Sequence, residues 1–546
     1  MDLVKRIPWF SLRARARGNI PPRSYDLHVP AILKTLFTRS QLIAVALALC
    51  AAVLGASAQT PGRLPNIGDG NSMSVQQERR LGESIMRQLM RDPDYMDDPV
   101  LIQYLQNIWQ PLRESSKQLG YLHAELEETY AWDVLLVKDR TVNAFALPGG
   151  FMGVHLGLIA VVTNRDELAA VMGHELSHVT QRHIARSQDS QMQQTPWLVG
   201  SFLLGVLAAS RSPDAANALI MGGTASVAQG QLNFSRDMER EADRLGYAVM
   251  TNAGFEAQGV VGMFQKLAQA ARLNDSGGFP YLRSHPLTTE RIGDMQSRMG
   301  AQSTSTQSIP GNLEHALMSA RARALMSTRA EEVDFLIKAY ENMASADTAT
   351  LRMAGLMYAA TMAYTHQRQD VKAREVLRRL LELSASDVAG LRAARWLAAD
   401  TERQLGNPQA CLKYVQEVSA DRPGTLLQMQ CKLAVKDKVL TQEVIEKMQL
   451  WLAQFPKDPL AWDMMAQAYL QNGLSLQAIR ADAESRAVRW DEIAAIDRLR
   501  AGQELARKLN QQGKLDLAGQ QEASIIDTRL RALEKIRIEL LRPQNN

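Results

Sequence analysis

His174-Glu175-Leu176-Ser177-His178 extends the apolar-periodic run Glu167-Leu168-Ala169-Ala170-Val171-Met172-Gly173. On an α-helix, residues four apart lie on one face, so both imidazoles can address a single metal ion. Glu175, one residue round from His174, is placed to act as general base toward water at that metal. Histidine is scarce, with 9 in 546 residues. A chance H-E-x-x-H in such a chain arises about once in a hundred. A metal site still needs at least one more ligand and a scaffold to hold it.

At 546 residues and 46% hydrophobic composition, the chain can bury two or more cores. Its net charge of +4 misleads. Residues 1–58 hold eight Lys/Arg against two Asp/Glu, and without them the balance is −2. Such near-neutrality excludes a general polyanion binder, so no nucleic acid partner is expected.

Residues 1–58 read as a signal peptide. Arg13, Arg15, Arg17, Arg23, Lys34 and Arg39 form a long basic region, Leu42–Leu54 an apolar run, and Ala56-Ser57-Ala58 an A-x-A cleavage site. The apolar run is short for a membrane span, which predicts cleavage before Gln59 and export. Cys411 and Cys431 then remain, either paired in an oxidising compartment or present as two buried thiols. Residues 59–73, rich in Gly, Pro and Asn, read as a disordered lead-in.

Ser74 with Gln77 three residues on fits the start of a helix reaching Met90, and Pro99–Leu112 a second helix. Trp132–Val137, Asn143–Leu147 and Phe151–Val154 read as strands, the last two joined by Pro148-Gly149-Gly150. Either of those two could hold an extended peptide on an exposed edge, or simply roof the helix. Trp197–Leu207 is apolar and too short to span a bilayer. It fits a buried helix, or a mobile hairpin covering the cleft or making peripheral membrane or client contact.

Ser235 is a plausible cap for a helix carrying Glu239 and Asp243, four apart on one face. One can serve as third metal ligand while the other supports a ligand histidine from behind. Glu241 points about 160° away from that face and is expected to be a solvent charge. His155 and His183 are expected to be structural. His285, in Arg283-Ser284-His285-Pro286, carries open readings: a gate reaching the metal, an oxyanion-stabilising group, or a cap for the helix near Thr288.

His174-Glu175-x-x-His178 followed by Glu239-x-x-x-Asp243 resembles the M48 metallopeptidases. Asn143-Ala144-Phe145, Pro148-Gly149-Gly150 and Ser284-His285-Pro286 also look like features of that family. The resemblance covers residues 74–298 and implies one Zn2+, held by His174, His178 and Glu239. It further implies Glu175 as the residue that activates water and Asp243 as a supporting catalytic residue. No multi-span apolar pattern is present, so the chain is similar to the exported branch.

Beyond a linker at 300–312, residues 313–546 read almost entirely as helix. Ala373, Ala410, Val444 and Ala478 recur at spacings of 37, 34 and 34. Trp462, Ala466, Tyr469, Gly473 and Ala478 stand at tetratricopeptide offsets, and Pro456 closes the unit before them. Such arrays present a concave surface for peptides or proteins. The expected fold is mainly α with a small β-sheet: a zincin-like metalloprotease domain over 74–299, then an α-solenoid of degenerate repeats ending in a long helix over 516–541.

A protease followed by repeats resembles the M48 branch of Gram-negative periplasms. That likeness implies a periplasmic location, unfolded or outer-membrane proteins as substrates, and docking of the repeats on outer-membrane assembly machinery. A chaperone or scaffold with a largely latent protease is the alternative.

Overall fold

The computed structural model describes residues 73–189, 236–272, 281–299, 312–343, 350–416 and 420–541. The signal segment, most of the lead-in, Trp197–Leu207 and Ser235 lie outside these residues. No helix among them is long and apolar enough to cross a membrane.

Ser74 starts α1 (Val75–Leu89) as its pattern predicts. Its Oγ accepts from Gln77 N at 3.2 Å, and Gln77 Oε1 accepts from Ser74 N at 2.7 Å. That box satisfies two amides the first turn leaves without helical partners. α2 (Pro99–Gln118) opens at Pro99 with Asp98 as its cap but runs on past Leu112, carrying Pro111 within it.

Four strands form one sheet: β1 (Tyr95–Met96), β2 (Asp133–Val137), β3 (Ala144–Leu147) and β4 (Phe151–His155), in the order β1-β2-β4-β3. β2 and β4 are parallel, while β3 returns antiparallel on β4. The turn between them needs glycine. Gly149 and Gly150 have φ of +78° and +81°, and a Cβ on either would come within 2.8 Å of Arg79 Cα or Tyr130 Cβ. β4 is paired on both sides and buried throughout, so it offers no edge to a peptide. Of the two strands that the sequence left as candidates, β3 keeps that possibility. The two-residue β1 is too short to show alternation.

Between the sheet and the next described helices come α3 (Ala124–Thr129), α4 (Leu156–Val161), α5 (Arg165–Thr180) and α6 (His183–Asp189). α5 carries the H-E-x-x-H motif and is buried along nearly its whole length. β3 and α2 pack on it, as do α7 (Arg236–Asn252) and α8 (Gln258–Arg272). α7 reaches α5 backbone to backbone. A Cβ on Gly246 would stand 2.9 Å from His174 N, and one on Gly173 would stand 3.1 Å from Gly246 O. α9 (Tyr281–Ser284) and α10 (Thr289–Met299) close this portion.

α11 (Leu313–Met326), the first helix past the linker, packs on α4 and joins the same hydrophobic core. His315 Nε2 lies 2.9 Å from Val162 O and its Nδ1 2.7 Å from Tyr104 Oη, while Arg321 grips both oxygens of Asp98 at 2.8 and 2.7 Å. α12 (Ala330–Glu341) follows. Helix pairs then succeed one another: α13 (Leu351–His366) with α14 (Asp370–Ser384), α15 (Val388–Gln404) with α16 (Pro408–Val415), and α17 (Arg422–Val435) with α18 (Lys438–Gln454). α19 (Pro459–Gln471) with α20 (Ser475–Val488) and α21 (Glu492–Gln511) with α22 (Leu517–Leu541) complete the series. Ala373, Ala410, Val444 and Ala478 each fall in the second helix of a pair, which is what their spacing measures. Cys411 and Cys431 form a disulfide joining α16 to α17, both fully buried.

Glu78 on α1 is buried beside Arg182 and accepts from Tyr130 Oη. Burial, against the pull of Arg182, pushes its carboxyl up to about 7. The folded chain therefore keeps a proton that the unfolded chain releases above about pH 4.5, and stability from this group falls as pH rises toward 7. Glu78→Gln should flatten the loss of urea stability between pH 5 and pH 8; an unchanged difference contradicts this. Gly246→Ala should cost about 1–3 kcal/mol by forcing α7 off α5. A melting curve matching the parent would show that the helices have room to spare.

Candidate metal centre

Three helices and one turn deliver the site. Asn164 caps α5, accepting from Asp166 N and Glu167 N at 3.1 and 2.9 Å, and so fixes where the His174 face begins. α7 brings Glu239 and Asp243 across the glycine contact. His285 follows α9, its amide bonded to Tyr281 O at 2.9 Å and its ring stacked on Tyr281 with centroids 4.7 Å apart.

Nε2 of His174 lies 3.0 Å from His178 Nε2 and 3.3 Å from His285 Nδ1. Glu239 Oε1 lies 3.0 Å from His285 Nδ1 and 3.4 Å from His178 Nε2. One donor atom from each of these four buried residues falls within 4.8 Å of the others. Glu175 Oε1 is a buried oxygen that accepts no hydrogen bond from the described residues, and Glu239 Oε2, also without one, has the ion pair with Arg291 Nη1 at 2.8 Å. Buried lone pairs without donors are costly, and a cation at their focus removes that cost. Imidazole nitrogens with one carboxylate are the donor set zinc takes, so the residues fit the ion.

Each H-E-x-x-H imidazole is held from behind. His174 Nδ1 lies 2.9 Å from Asp243 Oδ1, and Arg291 on α10 donates to both Asp243 oxygens at 2.7 and 2.8 Å. Burial works to raise the Asp243 carboxyl, but the bonds from Arg291 and His174 prevail and hold it at about 2. It is therefore a permanent acceptor that orients His174. His178 Nδ1 faces His183 Nδ1 at 2.8 Å, and His183 Nε2 reaches Glu241 Oε2 at 3.0 Å. Burial, then the neighbouring His174 and His285, push the His178 pKa well below its ordinary value, keeping the neutral form a metal requires.

The structure thus brings together His174, Glu175, His178, Glu239, Asp243 and His285. One expectation changes. Glu241 is not a solvent charge: it pairs with His183 and with Arg186 at 2.9 Å. His183 stays outside the cluster of donor atoms but holds a member of it. Helical spacing from His178 could not show this, because the chain turns at Arg182, with φ +53°, before α6 begins. The helix-cap reading of His285 also falls away, since Thr288 Oγ1 accepts from Arg291 N at 3.2 Å at the start of α10. His155 is structural, as expected, bonded to Thr141 Oγ1 at 2.9 Å. Arg291 went unread, because only its burial marks it as a paired cation.

The profile of Peptidase family M48 matches residues 112–299. A Vibrio cholerae protein provisionally named beta-barrel assembly-enhancing protease is 32% identical over 339 residues, covering 62% of this chain and 67% of that protein. The chain belongs to peptidase family M48. The beta-barrel assembly-enhancing protease of Escherichia coli K12 is 28% identical to this M48 peptidase over 452 residues, covering 81% of it and 88% of the relative. A mitochondrial metalloendopeptidase of Saccharomyces cerevisiae is 28% identical over 218 residues, 39% of this chain and 60% of that one. The enzyme is a zinc metalloendopeptidase, and its buried cluster suits one ion.

Glu239→Ala should lower bound zinc measured by atomic absorption, and full zinc content in that variant would move the third ligand elsewhere. His183→Ala should weaken zinc binding about ten- to hundredfold while one ion still binds at saturation. Unchanged affinity in a competition titration would make His183 a bystander.

Proposed function

We propose that this M48 peptidase is a periplasmic endopeptidase that degrades misfolded or stalled outer-membrane proteins, its helical repeats docking partners or clients. The observation that carries the reading is Glu175: a buried carboxylate on the motif helix, one oxygen without a hydrogen-bond donor, beside three converging imidazoles and Glu239. Zinc, when bound by His174, His178 and Glu239, supplies a Lewis acid for the scissile carbonyl and acidifies a water. Glu175 takes the proton from the attacking water and returns it to the leaving amine. Asp243 fixes the orientation and tautomer of His174, and His183 does the same for His178.

Two further features support the location and the client class. The Cys411–Cys431 disulfide suits an oxidising compartment, in line with the basic and apolar segment before Gln59. Relatives named for β-barrel assembly match most of the chain, repeats included.

His285 favours a second reading, a scaffold or chaperone with a largely latent protease. A catalytic zinc site keeps a position open for substrate, and His285 Nδ1 stands among the donor atoms where that position would be. His285 then acts as a gate that must withdraw before a peptide carbonyl enters.

Glu175→Gln keeps the ligand set and removes the base. It should leave zinc bound and abolish casein cleavage, and cleavage at the parental rate would overturn the assignment. In a deletion strain, failure of this variant to restore outer-membrane integrity is the expected result. Full rescue would favour the scaffold.

A further inference from the structure

We propose that Arg291 is the positioning residue that latches His285 onto the metal centre, an inference that rests on the gate reading above. Arg291 is 5% exposed, and its guanidinium serves three groups at once, two on α7 and one on the His285 turn. Nε and Nη2 fork onto Asp243 at 2.7 and 2.8 Å, while Nη1 stands 2.8 Å from Glu239 Oε2 and donates to Pro286 O at 2.9 Å. One cation therefore touches the support of His174, a residue of the donor cluster, and the carbonyl just past His285.

These bonds differ in strength. The two carboxylates hold Arg291 by charge-assisted contacts, whereas Pro286 O is a neutral carbonyl and the weaker partner. Pro286 fixes its own φ, so a bond at its carbonyl restrains the His285 backbone directly before it. On its other side the turn is held by α9, a helix of four residues, through His285 N to Tyr281 O. His285 can then withdraw when the Arg291–Pro286 bond breaks, while the fork on Asp243 keeps His174 in place. Arginine alone has donors enough for this division of labour. Lysine keeps the charge facing Asp243 and Glu239 but cannot fork onto Asp243 and reach Pro286 O as well.

The test uses full-length, zinc-loaded protein and compares the parent with His285→Ala, Arg291→Lys, Arg291→Gln and the His285→Ala/Arg291→Lys double variant. Readouts are the rate at which a chelating dye takes up zinc, the visible spectrum of the cobalt-substituted protein, and casein cleavage. His285→Ala should speed zinc release and raise cleavage. Arg291→Lys should speed release about tenfold, shift the cobalt spectrum toward that of His285→Ala, and add nothing once His285 is gone. Equal acceleration with and without His285 would make Arg291 a support for Asp243 and Glu239 alone and overturn the latch. A parental cobalt spectrum in Arg291→Lys would do the same, as would failure of both Arg291 variants to fold at 25 °C. If His285→Ala itself changes neither release nor cleavage, the gate reading fails first and the latch with it.

Discussion

Everything at the metal centre depends on two glycines touching. Gly173 precedes His174 on α5, and Gly246 follows Asp243 by three residues on α7. Their contact lets the helices meet backbone to backbone, with no room for a side chain at the crossing. Glu239 and Asp243 then lie level with the two imidazoles. A methyl group at either glycine separates donor atoms that must converge within a few ångström. The two-ligand motif on α5 becomes a site because α7 has no side chain at that crossing.

The second constraint is the shared core. α11 packs on α4 with a buried Arg321–Asp98 pair, and Arg422 bonds Asp97 at 2.9 and 2.6 Å while also holding Asp458. Arg87 on α1 pairs with Glu492 at 2.8 Å and lies over the Trp490 ring. The repeats are therefore tied to the catalytic portion near both ends of the helix series. Breaking one member of a buried pair strands the other charge at a cost of about 3–5 kcal/mol. The helix pairs are thus continuous with the helices that carry the donor cluster.

Much of this was legible in the sequence. The capping box at Ser74, the start of α2 at Pro99, three of the four strands, and the pair of acids on α7 follow from local rules of capping, alternation and helical phase. The recurrence of Ala373, Ala410, Val444 and Ala478 marks successive second helices. What was not legible depends on contacts far apart in the chain. His183 and Glu241 meet because α6 turns back after Arg182; Arg291 matters because it is buried; β4 loses its edge because β2 pairs with it from a distance. The disulfide likewise needed the approach of α16 and α17, since two cysteines twenty residues apart fit either state.

We infer that one zinc binds His174, His178 and Glu239, with His285 in the fourth position while the gate is closed. X-ray absorption at the zinc edge of the purified, zinc-loaded protein tests it most directly. Three imidazole nitrogens and one carboxylate oxygen at about 2.0–2.2 Å are expected, falling to two imidazoles in His285→Ala. A sulfur shell, or two imidazoles in the parent with no change on removing His285, would contradict it.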